Sequence, residues 1–273
     1  MSSSAREGRR DEGLPTFSPR LFGLFRRYLR RYLGRHFTGV RAVRSWLPSA
    51  TDGRPVVVYA NHPSWWDPLL FMFLHGHCFP DRALYGPMDA EALKRYGFFR
   101  RLGVFGVEPG TTRGAATFLR ISRRVLARHD GVLWITAQGR FADPRERPPG
   151  IEAGVAHLAR DVPGLVLIPL AVEYPFWNER HPEALAQFGA PIFVDRETAH
   201  DVKSWTALLA ERLEIAQDDL RTLAQARDRE PFETVLDGQR GVGGIYDRWR
   251  RFRAWTRGER FRAAHGDIKR WSR

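Results

Sequence analysis

The chain has 273 residues, with 44 lysines and arginines against 31 aspartates and glutamates, a net charge of +13, and one cysteine. Its length suits one large domain, or a domain with appendages; the lone cysteine excludes a disulfide framework, and the lack of any run of about eighteen apolar residues excludes a membrane-spanning helix. A positive excess carried almost wholly by arginine points to a polyanionic partner, and nine tryptophans favour a membrane surface over nucleic acid, because tryptophan prefers the lipid–water boundary.

Residues 1–19 carry no apolar core and are expected to be a disordered tail rather than a secretory signal. From 20 to 46, Leu21, Phe22, Leu24, Phe25, Tyr28, Leu29, Tyr32 and Leu33 recur at helical spacing, with arginines between them and no acidic residue from Glu12 to Asp52. An apolar side opposed to an all-basic side predicts interfacial helices over 20–50, with Phe22, Phe25, Arg26, Arg27, Arg30 and Arg31 contacting the membrane. The plain alternative is an amphipathic helix docked on the domain.

A strand–helix alternation follows over 51–235, which predicts one α/β domain. Strands are expected at Pro55–Tyr59, Ala83–Gly86, Leu102–Val107, Gly131–Thr136, Leu165–Glu173 and Gln187–Val194. Helices are expected at Leu69–Leu74, Ala90–Tyr96, Thr112–Arg128, Glu152–Arg160 and Asp201–Arg227, the last with Trp205, Leu208, Leu209, Leu213, Ile215 and Leu220 inward. Beyond 236 the composition shifts to interleaved aromatic and basic residues, a C-terminal extension over 236–273 in which Trp249, Arg250, Arg251 and Trp255 suit lipid headgroups or single-stranded nucleic acid.

The chemistry concentrates at Ala60–Pro68, where the first domain strand turns into a helix. His62 and Asp67 stand five apart, with Pro63 and Pro68 stiffening the turn. A carboxylate folded back onto one imidazole nitrogen fixes the tautomer and leaves the other nitrogen as a base. No Gly-x-Ser-x-Gly accompanies the pair, so the hydroxyl to be activated would arrive with the substrate. The ordinary reading of this spacing is that His62 caps the helix and Asp67 is its first-turn acid. No metal site is expected, since the nine histidines show no ligand spacing with carboxylates and His75-x-His77 beside Cys78 is too sparse.

Asn61-His62-Pro63-Ser64-Trp65-Trp66-Asp67-Pro68 resembles the first motif, Asn-His-x-Ser-x-x-Asp, of the glycerolipid (lysophospholipid) acyltransferase family. Gly103–Glu108 with Arg113 resembles its second motif, though the family arginine directly follows the acid, where this chain has Pro109. Thr136-Ala137-Gln138-Gly139-Arg140-Phe141 is similar to the third, Phe-Pro-Glu-Gly-x-Arg, with Gln138 in place of glutamate. Leu165–Val172 resembles the fourth, an apolar strand with a central proline, which would line the acyl chain's path.

The resemblance implies a mixed, largely parallel sheet with helices on both faces. It implies an O-acyltransferase of the 1-acylglycerol-3-phosphate type, in phospholipid biosynthesis. Its donor would be acyl-CoA or acyl carrier protein, and its acceptor the hydroxyl of a lysolipid, another lysolipid-like molecule, a glycolipid or a terpenoid. His62 would be the base and Asp67 its partner, with Asn61, Ser64, Glu108, Arg113, Gln138, Gly139 and Arg140 binding substrate, backbone N–H groups near Gly139 holding the oxyanion, and Arg145 and Arg147 adding to an anion pocket. No bound cofactor is implied. The protein would sit on the cytoplasmic face of the membrane as a peripheral or monotopic protein, on an anionic surface and without nucleic acid. A nucleic-acid-binding protein using the basic flanks is the alternative of a different class.

Overall fold

The sheet alternates its side chains between two cores, and this period of two explains which helices lie where. In β2 (Val56–Ala60), Val56, Val58 and Ala60 face one core, while Val57 and Tyr59 face the other. The first core is closed by α1 (Pro19–His36) and α2 (Asp67–Cys78). The second is closed by α4 (Thr112–Leu126), α5 (Ala153–Asp161) and α6 (Val202–Ala226). The computed structural model describes residues 14–44, 51, 53–128, 130–195 and 201–239.

The remaining elements are β1 (Gly39–Val43), β3 (Ala83–Asp89), α3 (Ala90–Arg95), a 3-10 turn (Gly97–Arg101), β4 (Val104–Val107), β5 (Gly131–Thr136), β6 (Val166–Glu173), β7 (Glu183–Phe188), β8 (Ile192–Phe193) and β9 (Phe232–Asp237). The strands form one sheet in the order β4-β3-β5-β2-β6-β7-β1-β9, with β8 paired to β6. The pairs from β4 to β6 are parallel, as is β1 with β7; β6–β7, β6–β8 and β1–β9 are antiparallel. This is the α/β domain that the alternation predicts, with the mixed, largely parallel sheet and helices on both faces that the resemblance implies.

The N-terminal segment departs from expectation. α1 starts at Ser18, whose hydroxyl accepts from Leu21 N, with Pro19 in the first turn, and it stops at His36. Phe22, Leu29 and Leu33 are buried against the first core. Burying such side chains is worth roughly 1.5–3 kcal/mol each, so this face belongs to the protein rather than to lipid. Phe22 is therefore a core residue, not a membrane contact. Arg26 lies across Gly76 of α2, where a Cβ would collide with its guanidinium stem; it fills the α1–α2 contact. Residues 37–43, expected to be helical, are buried, and Gly39–Val43 form a strand.

Arg41 hides that strand in the sequence. It prolongs the basic pattern of α1, yet it is buried, with Nε donating to Glu183 at 3.0 Å and Nη1 to Thr234 at 2.6 Å, while Arg229 donates to the other Glu183 oxygen at 2.8 Å. A buried guanidinium needs such partners. The last residues of the expected tail are docked as well: Phe17 bridges Leu102, and Ser18 N donates to Arg101 O at 3.0 Å. On α6, Ile215 is exposed rather than inward, while Trp205, Leu209, Leu213 and Leu220 are buried as expected. Trp249, Arg250, Arg251 and Trp255 lie outside the described residues.

Candidate active site

Two parallel strands end side by side, and a third, β6, runs three residues past them. Ala60 at the end of β2 is in register with Thr136 on β5 and with Leu170 on β6. The residues just beyond therefore converge, as expected at the carboxyl edge of an α/β sheet. Ala137 N donates to Ala60 O at 2.8 Å, and Ala142 N to His62 O at 3.0 Å.

His62 and Asp67 meet. Nδ1 of His62 lies 2.6 Å from Asp67 Oδ2. The carboxylate side chain is 0% exposed and the imidazole 16% exposed, so the charged partner is sealed beneath a histidine that still reaches the surface. With Nδ1–H donating to the carboxylate, the lone pair sits on Nε2. His62 caps nothing; the residue before α2 is Trp66, which makes no side-chain cap. Asp67 opens α2, where the helix dipole favours a negative charge. Ser64 N donates to Oδ2 at 3.0 Å, and the Tyr174 hydroxyl donates to Oδ1 at 2.5 Å. Three donors thus compensate the cost of burying the charge.

The other sequence-predicted residues divide. Asn61 is buried, and its amide is spent on Val172: Nδ2 donates to Val172 O and Oδ1 accepts from Val172 N. Ser64 contributes backbone to Asp67, while its hydroxyl accepts from Trp66 N at 3.3 Å. Gln138 is buried and Oε1 accepts from His62 N at 2.9 Å, which fixes which end of the amide is oxygen and places Nε2 as a buried donor. Gly139 has φ +64°, and a Cβ there would lie 2.9 Å from Glu152 Cγ. Its N–H donates to Thr136 O at 3.2 Å.

Glu108 and Arg113 are exposed at the β4–α4 turn. In the strand order β4 is the third neighbour of β2, about 14 Å away at the usual strand spacing, so these two are not brought to the dyad. Arg140 is paired with Glu146, Arg145 with Asp143 at 2.7 Å and Arg147 with Asp218 at 2.8 Å; the three arginines form surface ion pairs rather than an open anion pocket. Residues 166–172 are wholly buried between the two cores, so the fourth stretch is sheet interior rather than the wall of a path.

Two residues near the dyad escaped the sequence reading. Phe141 is 59% exposed, with its ring centroid 4.3 Å from that of His62. Tyr174 stands one residue past β6. Phe141 had a signal, its place in the Gln-Gly-Arg-Phe turn; Tyr174 had none, since its partner is 107 positions away. His75 and Cys78 are structural. His75 Nε2 donates to Arg82 O at 2.9 Å and Nδ1 accepts from Trp134 at 3.1 Å. Burial drives its imidazole down to about 4 and the Cys78 thiol up to about 12.

A family model described as Acyltransferase matches residues 36–173, just over half of the chain. The chain belongs to the acyltransferase family. No curated protein matches it. The family match runs from the end of α1 to the end of β6 and so covers the dyad, Gln138 and Asn61. The acyltransferase's β7, β8, α6 and β9 lie beyond it, and so, by one residue, does Tyr174. Among the described residues, no helix is long and apolar enough to cross a membrane.

Proposed function

We propose that this acyltransferase moves a fatty acyl group from a thioester, acyl-CoA or acyl carrier protein, to a hydroxyl of a lysophospholipid-like acceptor of the 1-acylglycerol-3-phosphate type. The observation that carries the reading is the 2.6 Å contact between the sealed carboxylate of Asp67 and the part-exposed imidazole of His62. Nε2 of His62 takes the proton of the acceptor hydroxyl as its oxygen attacks the thioester carbon. The tetrahedral intermediate collapses, the C–S bond breaks, and the imidazolium returns the proton to the leaving thiolate. Asp67 holds the Nδ1 proton throughout and stabilises the imidazolium. Phe141, tilted against the ring, gives the acyl thioester an apolar flank. Arg113, on the β4 side of the sheet edge, suits a phosphate of the donor or of the acceptor headgroup.

The enzyme works at an anionic membrane on its cytoplasmic face, seated by the outer side of α1. Leu24 is 63% exposed and Tyr28 52% exposed, and Arg27, Arg30 and Arg31 lie on the exposed surface. That combination supports an interfacial seat. Purified protein offered acyl-CoAs with a panel of lysolipids and glycolipids should yield an acylated product by mass spectrometry. His62→Ala should remove it while leaving the circular dichroism spectrum unchanged. Full transfer by that variant sinks the proposal; product from a glycolipid alone moves the acceptor.

A further inference from the structure

The dyad is a triad of a different kind. We propose that Tyr174 is a positioning residue, whose hydroxyl fixes Asp67 and, by sharing the carboxylate's charge, sets the basicity of His62. The inference rests on His62 and Asp67 acting as proposed above.

The two oxygens of Asp67 have separate tasks. Oδ2 accepts from Ser64 N at 3.0 Å and from His62 Nδ1 at 2.6 Å; Oδ1 accepts from the Tyr174 hydroxyl at 2.5 Å. Without the phenol, Oδ1 would be a buried charged atom lacking its donor, an arrangement that protein interiors avoid. With only Ser64 N left to hold it, the carboxylate would keep its contact with the imidazole but lose its fixed orientation.

The phenol is itself held. Its ring packs on Phe37 with centroids 5.6 Å apart, and Phe37 packs edge-on against Trp66 at 4.9 Å. Its backbone follows β6, which Asn61 ties to the dyad loop through Val172. Burial first, and the neighbouring carboxylate second, push the Tyr174 hydroxyl well above its ordinary range. It therefore stays protonated, and stays a donor, across any working pH.

The sign of the effect follows from charge. A hydroxyl that donates to Oδ1 draws charge from the whole carboxylate and weakens its hold on the His62 proton. Removing the hydroxyl concentrates charge on Oδ2, so His62 keeps its proton to higher pH. Other ionisable groups on the segments packed around the dyad are His36, Arg140, Asp143, Arg145, Glu146, Glu152 and Glu173. All of them are the same in the Tyr174→Phe protein.

The test is a nuclear magnetic resonance titration of the full chain labelled with 15N-histidine, the His62 signal being assigned by its loss in His62→Ala. Tyr174→Phe should raise the His62 midpoint by about one pH unit, a tenfold change in proton affinity. In the Asp67→Asn background the same substitution should leave the midpoint unmoved. An unmoved or lowered midpoint in the single variant, or an equal shift in the Asp67→Asn background, overturns the assignment. Transfer kinetics with acyl-CoA and a lysolipid should show kcat about tenfold lower, KM unchanged and the acid limb of the pH profile displaced upward by the same amount. A wild-type protein without transfer activity would refute the proposed reaction, while the titration would still judge Tyr174.

Discussion

Asn61 and Val172 are joined in both directions: the Asn61 amide donates to Val172 O at 3.0 Å and accepts from Val172 N at 2.8 Å. A side chain thereby continues the sheet for one more rung after β2 ends. The residue beside it is His62, so the position of the base is inherited from the ladder between β2 and β6. Asn61→Ala leaves two buried backbone groups unpaired, each costing about 1–3 kcal/mol. Urea unfolding should show a loss of roughly 2–4 kcal/mol, the two costs not being additive. Turnover should fall as well.

Asp67→Asn keeps the shape of the site and reverses its polarity. An amide nitrogen turned toward His62 would place the proton on Nε2 and remove the base. kcat should fall by about 10²–10⁴-fold with little change in KM. Steady-state kinetics on the folded variant decide it; activity within twofold of wild type would rule out the dyad.

His75 makes stability depend on pH. Its folded value is lowered from 6.5 to about 4, chiefly by burial, with backbone bonding to Arg82 opposing this and the charges of Arg82 and Arg26 adding to it. The unfolded chain therefore takes up this proton first as pH falls. The contribution is fully present above about 6.5 and is lost between there and about 4, a span worth about 3 kcal/mol. Urea midpoints measured at pH 7.5 and pH 4.5 should differ more for wild type than for His75→Gln, which starts less stable but has no proton to gain.

Much of the fold could be read because its core strands are simple. Val132–Ile135 and the Val-Val-Val of β2 carry nothing but apolar side chains, and such short, β-branched-rich runs between turn residues read as buried strands. β1 and β9 were hidden for the opposite reason. Arg41 looks like one more helix-face arginine until Glu183, 142 positions away, supplies its counter-charge; β9 alternates Glu233, Val235 and Asp237 at an edge, with no continuous apolar run to mark it. The dyad was legible because its two halves are five residues apart. Tyr174 and the Asn61–Val172 link join distant positions, and a linear pattern carries no trace of them.

The outward side of α1 can be tested separately from its docked side. Leu24→Asp with Tyr28→Ser alters exposed positions only, so the melting temperature should hold. Co-sedimentation with vesicles containing anionic lipid should drop, and it should drop further when Arg27, Arg30 and Arg31 are changed to glutamine, at about 1 kcal/mol per arginine. Binding equal to wild type after both changes would place the membrane seat elsewhere. Phe22→Asp should instead unfold the helix from the domain, because Phe22 is buried in the first core.

The place of β1 between β7 and β9 also bears on synthesis. Its partners Glu183 and Phe232 leave the ribosome long after it does. At translation rates of about 5–20 residues per second, β1 waits roughly 10–30 s before either neighbour exists. During that wait Arg41 keeps a strand of valine and alanine hydrated. The charge that anchors the folded sheet is, on the nascent chain, the kind of inward-facing charge that discourages an unpartnered strand from pairing with another chain.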